Sequence, residues 1–162
     1  ALQKPHKINL SENYLLFYRQ TFGFPAVILR YSAAYGPGQV TGAMAAYIRD
    51  LKSGRQSELY GFKTRDYVYV DDILLANLKA LNVSDRFQDP IFNIGTSIET
   101  SLKDLYKRIA EILDRPNHPI LKADRPGEQK RYALDPAKAK KFLKWQPRVS
   151  LEAGLKRTIS PS

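Results

Sequence analysis

The sequence predicts an α/β fold in one compact unit, and three observations carry that prediction. First, 162 residues with 43% hydrophobic and 26% charged content suffice for one ordinary core, because a chain of this size buries roughly two-thirds of its unfolded surface. Second, Ala26-Val27-Ile28-Leu29-Arg30-Tyr31 is an apolar run too short for a helix and of the kind found in strands covered on both faces of a parallel sheet. Third, segments of helical period alternate with such short runs along the chain, the pattern that gives mixed layers.

In chain order, Asn9-Leu10-Ser11-Glu12 has the form of a capping box, and Leu10, Tyr14, Phe17, Tyr18 and Phe22 recur at helical spacing up to Gly23, predicting a first helix. The strand of residues 26–31 follows, then a turn at Tyr35-Gly36-Pro37-Gly38. A second helix is expected from Thr41 to Ser53, with Met44, Tyr47, Ile48 and Leu51 inward and Gly54 as its stop. Tyr67 to Val70 has the β-branched and aromatic character of a strand, and Asp71 ahead of Ile73, Leu74, Ala76, Leu78 and Leu81 reads as the N-cap of an amphipathic helix. Pro90 to Gly95 reads as another short strand. A helix from Ser101 presents Leu102, Leu105, Ile109, Ile112 and Leu113, with Asp104 completing a capping pair. His118 to Leu121 suggests a strand, Asp135-Pro136 a helix start with proline in first position, and Ser150 the cap of a last helix. No internal repeat or low-complexity linker interrupts the series.

Composition narrows the function classes. No window reaches the ~18 apolar residues of a membrane span, and Ala1 to Lys7 lacks an apolar signal core, so a cytoplasmic protein is expected, with no membrane partner. The absence of cysteine removes disulfides and thiolate metal sites, and His6 and His118 are too few for a zinc centre. The net charge of +10 fits an anionic partner or a soluble basic surface equally. Lys138, Lys140, Lys141 and Lys144 crowd one short segment, where a solvated helix face competes with nucleic-acid contact. Nucleic acid is the weaker alternative, since no helix-turn-helix, zinc or aromatic-sheet signature accompanies the charge.

The richest stretch is Thr64-Arg65-Asp66-Tyr67-Val68-Tyr69-Val70-Asp71-Asp72, which sets a guanidinium at a strand mouth before an acidic helix start. Together with Ile28-Leu29-Arg30-Tyr31, Tyr35-Gly36-Pro37-Gly38-Gln39, Tyr60-Gly61, Phe92-Asn93-Ile94-Gly95, Arg125-Pro126-Gly127-Glu128 and Asp135 through Trp145-Gln146-Pro147 with Gly154-Leu155, it resembles the C-terminal half of the extended short-chain dehydrogenase/reductases. The likeness is to the NAD-dependent nucleotide-sugar epimerases and dehydratases of the UDP-glucose 4-epimerase type, over nearly the whole chain. The resemblance implies a partial Rossmann-like parallel sheet, made of the family's C-terminal strands, plus the family's small α/β substrate-binding domain. On that division residues 1–40 are a remnant of the dinucleotide-binding domain and residues 41–162 are mainly the substrate-binding domain.

By the same resemblance, Arg65 and Arg125 would grip the two phosphates of a nucleotide diphosphate, Tyr132 would line that pocket and Tyr60 would stack beside the base. The chemistry suits them, because a guanidinium offers phosphate oxygens a planar fork of donors. The competing role for Arg65 is a surface salt bridge to Asp66 or Asp72; for Arg125, an exposed loop charge; for the two tyrosines, core or rim packing. Adjacent Asp71 and Asp72 tempt an acid/base reading, but at a helix start capping is favoured.

Two family features are missing. No glycine-rich strand-turn-helix occurs, since Gly36, Gly38 and Gly42 follow the wrong strand at the wrong spacing. No Tyr-x-x-x-Lys pair occurs either: Lys7 is the best candidate for the cofactor-linked lysine, but Gln3 stands four residues before it. Ser32 and Ala33 also replace an expected aromatic and asparagine on the sugar side. The expectation is a substrate-binding half of an epimerase or dehydratase, truncated or excised, inactive alone, with no catalytic residue or NAD on this chain by itself. The alternative is an assembly module completed by a cofactor-domain partner chain or by a second copy in a homodimer, since the edge of the 26–31 strand would otherwise be bare.

Overall fold

The computed structural model describes residues 10–83, 87–116, 118–124, 127 and 129–160. Lys7, Arg125 and the start of the expected capping box at Asn9 lie outside the described residues.

Short strands pair in twos, mostly in parallel. Strand β1 (Ile28–Tyr31) and strand β2 (Ala33–Tyr35) are successive pieces of one extended segment that changes partner at Ser32. Strand β3 (Glu58–Tyr60), β4 (Thr64–Arg65) and β5 (Tyr67–Tyr69) precede β6 (Ile91–Ile94), β7 (Thr100–Ser101) and β8 (Ile120–Lys122). β1 runs parallel to β6, β2 to β5 and β3 to β8, while β4 and β7 are antiparallel. At the change of partner Ser32 N–H donates to the Ile94 carbonyl and Ala33 N–H to the Asp66 carbonyl, so no ladder group is lost where the segment crosses over.

Helix α1 (Leu10–Phe22) precedes the sheet, α2 (Gly42–Lys52) and α3 (Val70–Leu81) follow β2 and β5, and α4 (Leu102–Ile112) and α5 (Leu151–Ile159) come later. The expected caps of α4 and α5 are present: Ser101 Oγ accepts from Asp104 N–H and Ser150 Oγ from Ala153 N–H. In α4 the buried side chains Leu102, Leu105, Tyr106, Ile109 and Ala110 fall on one face at helical spacing. Tyr106 meets Tyr47 of α2 edge to face with ring centroids 5.5 Å apart, a favoured aromatic geometry. A second core gathers Val68, Ala76, Phe92, Ile94, Leu143 and Trp145 behind β1 and β6.

Three expectations need correction. The residue that caps α3 is Tyr69, which provides no side-chain bond; Asp71 lies within the first turn and pairs with Arg157 at 3.6 Å. The turn from β5 into α3 is too tight for Asp71 to stand outside the helix. Leu74, Leu78 and Leu81 of α3 are exposed and Ala76 is the fully buried member of the expected stripe. The segment after Pro136 winds as a π-helix (Ala139–Leu143), with Asp135 Oδ1 accepting from Ala137 N–H at its start.

Helix α1 is inverted relative to an ordinary core helix. None of its residues is buried; Leu10, Tyr14, Phe17 and Phe22 are 79%, 62%, 54% and 65% exposed. On its opposite face Glu12 pairs with Arg30 of β1, and Arg19 donates to the Ala26 and Phe87 carbonyls.

Candidate functional site

A cavity of about 630 Å³ opens between β2, α2 and the β3–β5 region, lined by Gln39, Tyr47, Asp50, Gln56, Glu58, Tyr60, Lys63, Arg65 and Tyr67 among others. That size lies within the roughly 300–1,000 Å³ of ordinary small-molecule sites.

Two of the sequence candidates, Arg65 and Tyr60, share this cavity. Arg65 sits on the two-residue β4 rather than at the mouth of β5, and it makes no salt bridge to Asp66 or Asp72. Both of its hydrogen bonds leave from Nη1, to the Thr64 carbonyl at 2.7 Å and the Gln129 carbonyl at 3.0 Å. Nη1 is thereby anchored while the Nε and Nη2 edge keeps its donors for another acceptor. Tyr60 donates its hydroxyl to Glu58 Oε2, and Glu58 in turn pairs with Lys122 at 3.3 Å. The ring is thus fixed at the cavity wall from its outer end.

Tyr132 is not among the residues lining this cavity. It is buried with its hydroxyl 3.4 Å from the Tyr31 carbonyl, and burial and the Asp66 charge raise its phenol while Arg30 and Arg65 pull it down.

Asp66 fixes the backbone next to Arg65. Its side chain is fully buried, and its carboxylate accepts from Thr96 N–H at 2.9 Å, Ser97 N–H at 3.2 Å and Leu134 N–H at 3.2 Å, with the Thr96 hydroxyl as a further donor. The Asp66 carbonyl receives Ala33 N–H and the Ser32 hydroxyl, both at 2.8 Å. One residue therefore ties together the segment change at Ser32, the turn after β6, and the chain approaching the π-helix. Gly95 makes room for it, because a Cβ there would stand 2.5 Å from Asp66 Oδ2. On the other flank Glu99 accepts from Thr64 and forms a two-bond pair with Arg131 at 2.9 and 3.0 Å. Those contacts hold Glu99 below the usual carboxylate range and fasten residues 129–132 beside Arg65.

Asp72, the other half of the aspartate pair, is also buried and structural. It accepts Arg148 N–H and Val149 N–H, each at 3.0 Å. Backbone satisfaction is its role, as expected over acid/base work, though it serves a distant loop and not its own helix.

The sequence reading missed Lys63, which is 3% exposed and lines the cavity. No pattern around it betrays burial. Gln39, quoted only as part of a turn, has a buried Oε1 without a hydrogen-bond partner on the cavity wall. Burial raises the phenols of Tyr47 and Tyr67, the latter to about 12 despite Arg65, so both line the cavity as neutral hydroxyls near pH 7.

Among the described residues no group of His, Cys, Asp and Glu could hold a metal, and no helix is long and apolar enough to cross a membrane. Gly36 lies against Val70, whose Cγ1 would be 2.6 Å from a Cβ there, so its missing side chain admits α3 and not a pyrophosphate.

The model of the GDP-mannose 4,6 dehydratase family matches residues 9–158. The chain is 34% identical over 154 residues to a UDP-glucose 4-epimerase of Mycolicibacterium smegmatis, covering 91% of this chain and 49% of that protein. The structure of UDP-glucose 4-epimerase from Thermotoga maritima with UDP-glucose superposes with a TM-score of 0.85 at 36% identity, covering 93% of this chain and 50% of that one. DesIV, a dTDP-glucose 4,6-dehydratase of Streptomyces venezuelae solved with NAD, gives 0.83 at 29% identity, covering 92% and 47%. The chain thus spans about half the length of these relatives. Its α/β architecture is that of Rossmann-like epimerases and dehydratases, matched over that half. With a family match over nearly its full length, the chain belongs to the GDP-mannose 4,6 dehydratase family within the extended short-chain dehydrogenase/reductases.

Proposed function

We propose that this chain is the nucleotide-sugar-binding half of an NAD-dependent sugar epimerase or dehydratase, and that the cavity holding Arg65 and Tyr60 takes the nucleotide diphosphate. The observation that carries the reading is the anchored guanidinium, with Nη1 fixed to two carbonyls and the Nε and Nη2 edge left without a partner among the described residues, on a side chain that lines a cavity of ligand size. Phosphate oxygens suit that edge, and the Tyr60 ring suits a base. Tyr132 belongs to the same substrate-binding set, and Arg125 supplies the second cation of the clamp. Lys7 retains the ancestry of a cofactor-linked lysine. Residues 1–40 belong to the cofactor-binding part and residues 41–162 mainly to the substrate-binding part; hydride chemistry with NAD belongs to the whole enzyme, and this half is inactive alone, in the cytoplasm.

Mass action gives the test. UDP at a hundred times its dissociation constant should stabilise the fold by ~2.7 kcal/mol, read as a rise in melting temperature. No rise with millimolar UDP, GDP or dTDP would sink the reading.

The inverted helix α1 favours a second role, association with another polypeptide. A face carrying Leu10, Tyr14, Phe17 and Phe22 in water is the kind of exposed patch that marks an interaction surface. A cofactor-domain partner chain or a second copy of this chain would cover it. Sedimentation should show a dimer whose population falls with Phe17→Glu; a strict monomer at high concentration counts against self-association.

A further inference from the structure

We propose that a second, smaller hollow beside the π-helix binds a phosphate-bearing small anion, independently of the large cavity. It has a volume of about 250 Å³ and is lined by Leu75, Lys140, Lys144, Trp145, Gln146 and Arg148. None of these lines the large cavity. Its volume is well above the roughly 10–15 Å³ a single water needs, so a phosphate group with part of its hydration fits.

The charge on this hollow is unbalanced. Three cationic side chains line it and no acidic residue does. The neighbouring cations are already engaged, with Lys138 on Asp89 at 2.6 Å and Lys141 over the Phe142 ring at 5.1 Å. Lys140, Lys144 and Arg148 form no ion pair among the described residues. Asp72 of α3, the acid bonded to this loop, has both oxygens taken by the Arg148 and Val149 N–H groups. A multiply charged oxyanion would relieve the repulsion between the three cations and meet ammonium and guanidinium donors together.

The hollow is also held in shape before any ligand arrives. Lys144 takes the left-handed conformation at φ 52°, where the chain reverses out of the π-helix. Trp145 Nε1–H donates to the Asp72 carbonyl at 2.8 Å, and the Arg148 backbone is bound to the Asp72 carboxylate. Lys144 and Arg148 are therefore carried on a pinned loop, and preorganised cations lose less freedom on binding. A single-stranded nucleic acid is the poorer match, because Trp145 is fully buried and offers no face for a base to stack on.

Trp145 is the sole tryptophan of the chain and is among the residues around this hollow, so its fluorescence is a local probe there. Pyrophosphate titrated at constant ionic strength should change that emission saturably. Lys144→Gln and Arg148→Gln should each weaken the response about tenfold or more, the loss of one charge-assisted contact, with unchanged circular dichroism and melting. Arg65→Ala should leave it intact. The proposal fails if no saturable change occurs, if the two charge-removing variants titrate like the parent, or if Arg65→Ala abolishes the response. It fails too if an oligonucleotide binds there and pyrophosphate cannot displace it.

Discussion

Replacing Asp66 with alanine should destabilise the fold by about 4 kcal/mol, which is exceptional for one substitution. The carboxylate receives three backbone N–H groups from two separate segments and is wholly excluded from water. Each donor left unsatisfied costs about 1–3 kcal/mol. Asp66→Asn keeps the shape but turns one acceptor into a donor facing an N–H group, so it should recover roughly half of the loss. Urea denaturation midpoints measure both. A loss below about 1 kcal/mol in the alanine variant would mean that the three bonds are replaceable.

Replacing Arg65 with alanine should lower UDP affinity by about 10- to 150-fold while leaving stability nearly unchanged. The range follows from the ~1.5–3 kcal/mol of hydrogen bonds to charged groups. Stability is spared because the two carbonyls that Arg65 holds, at Thr64 and Gln129, lie near the surface and can take water instead. Lysine at this position should restore little, since an ammonium has neither the fork nor a second edge to anchor. Melting shifts of the two variants with saturating UDP, set beside the parent, give the comparison. The two substitutions separate two functions of one motif: Asp66 builds the site, and Arg65 meets the ligand.

Much of this was readable from residue order. The inward faces of α2 and α4, the serine caps of α4 and α5, and the parallel pairing of β1 with another apolar run follow from period, cap chemistry and length, which act locally. The family resemblance holds as well. What was not readable depends on distant partners. Strands of two or three residues, such as β4 and β7, exist only because each finds the other across the fold. Helix α1 has the apolar spacing of a core helix, but that face is exposed and the helix meets the chain through Glu12 and Arg19 instead. Asp72 looked like a cap for its own helix and serves residues 148 and 149.

One local signal for Asp66 was available. In an extended segment alternate residues share a face, so Asp66 stands with Val68, and Val68 is buried. A carboxylate on the buried side of a strand needs donors, and that requirement points to an organising residue instead of a surface salt bridge.

The phosphate clamp at Arg65 is tested most directly by calorimetric titration of UDP and of uridine into the parent chain and into Arg65→Ala. The clamp predicts that the parent prefers UDP by at least about tenfold and that the variant loses the preference while uridine binds both proteins alike. An undiminished preference for UDP in the variant would contradict it.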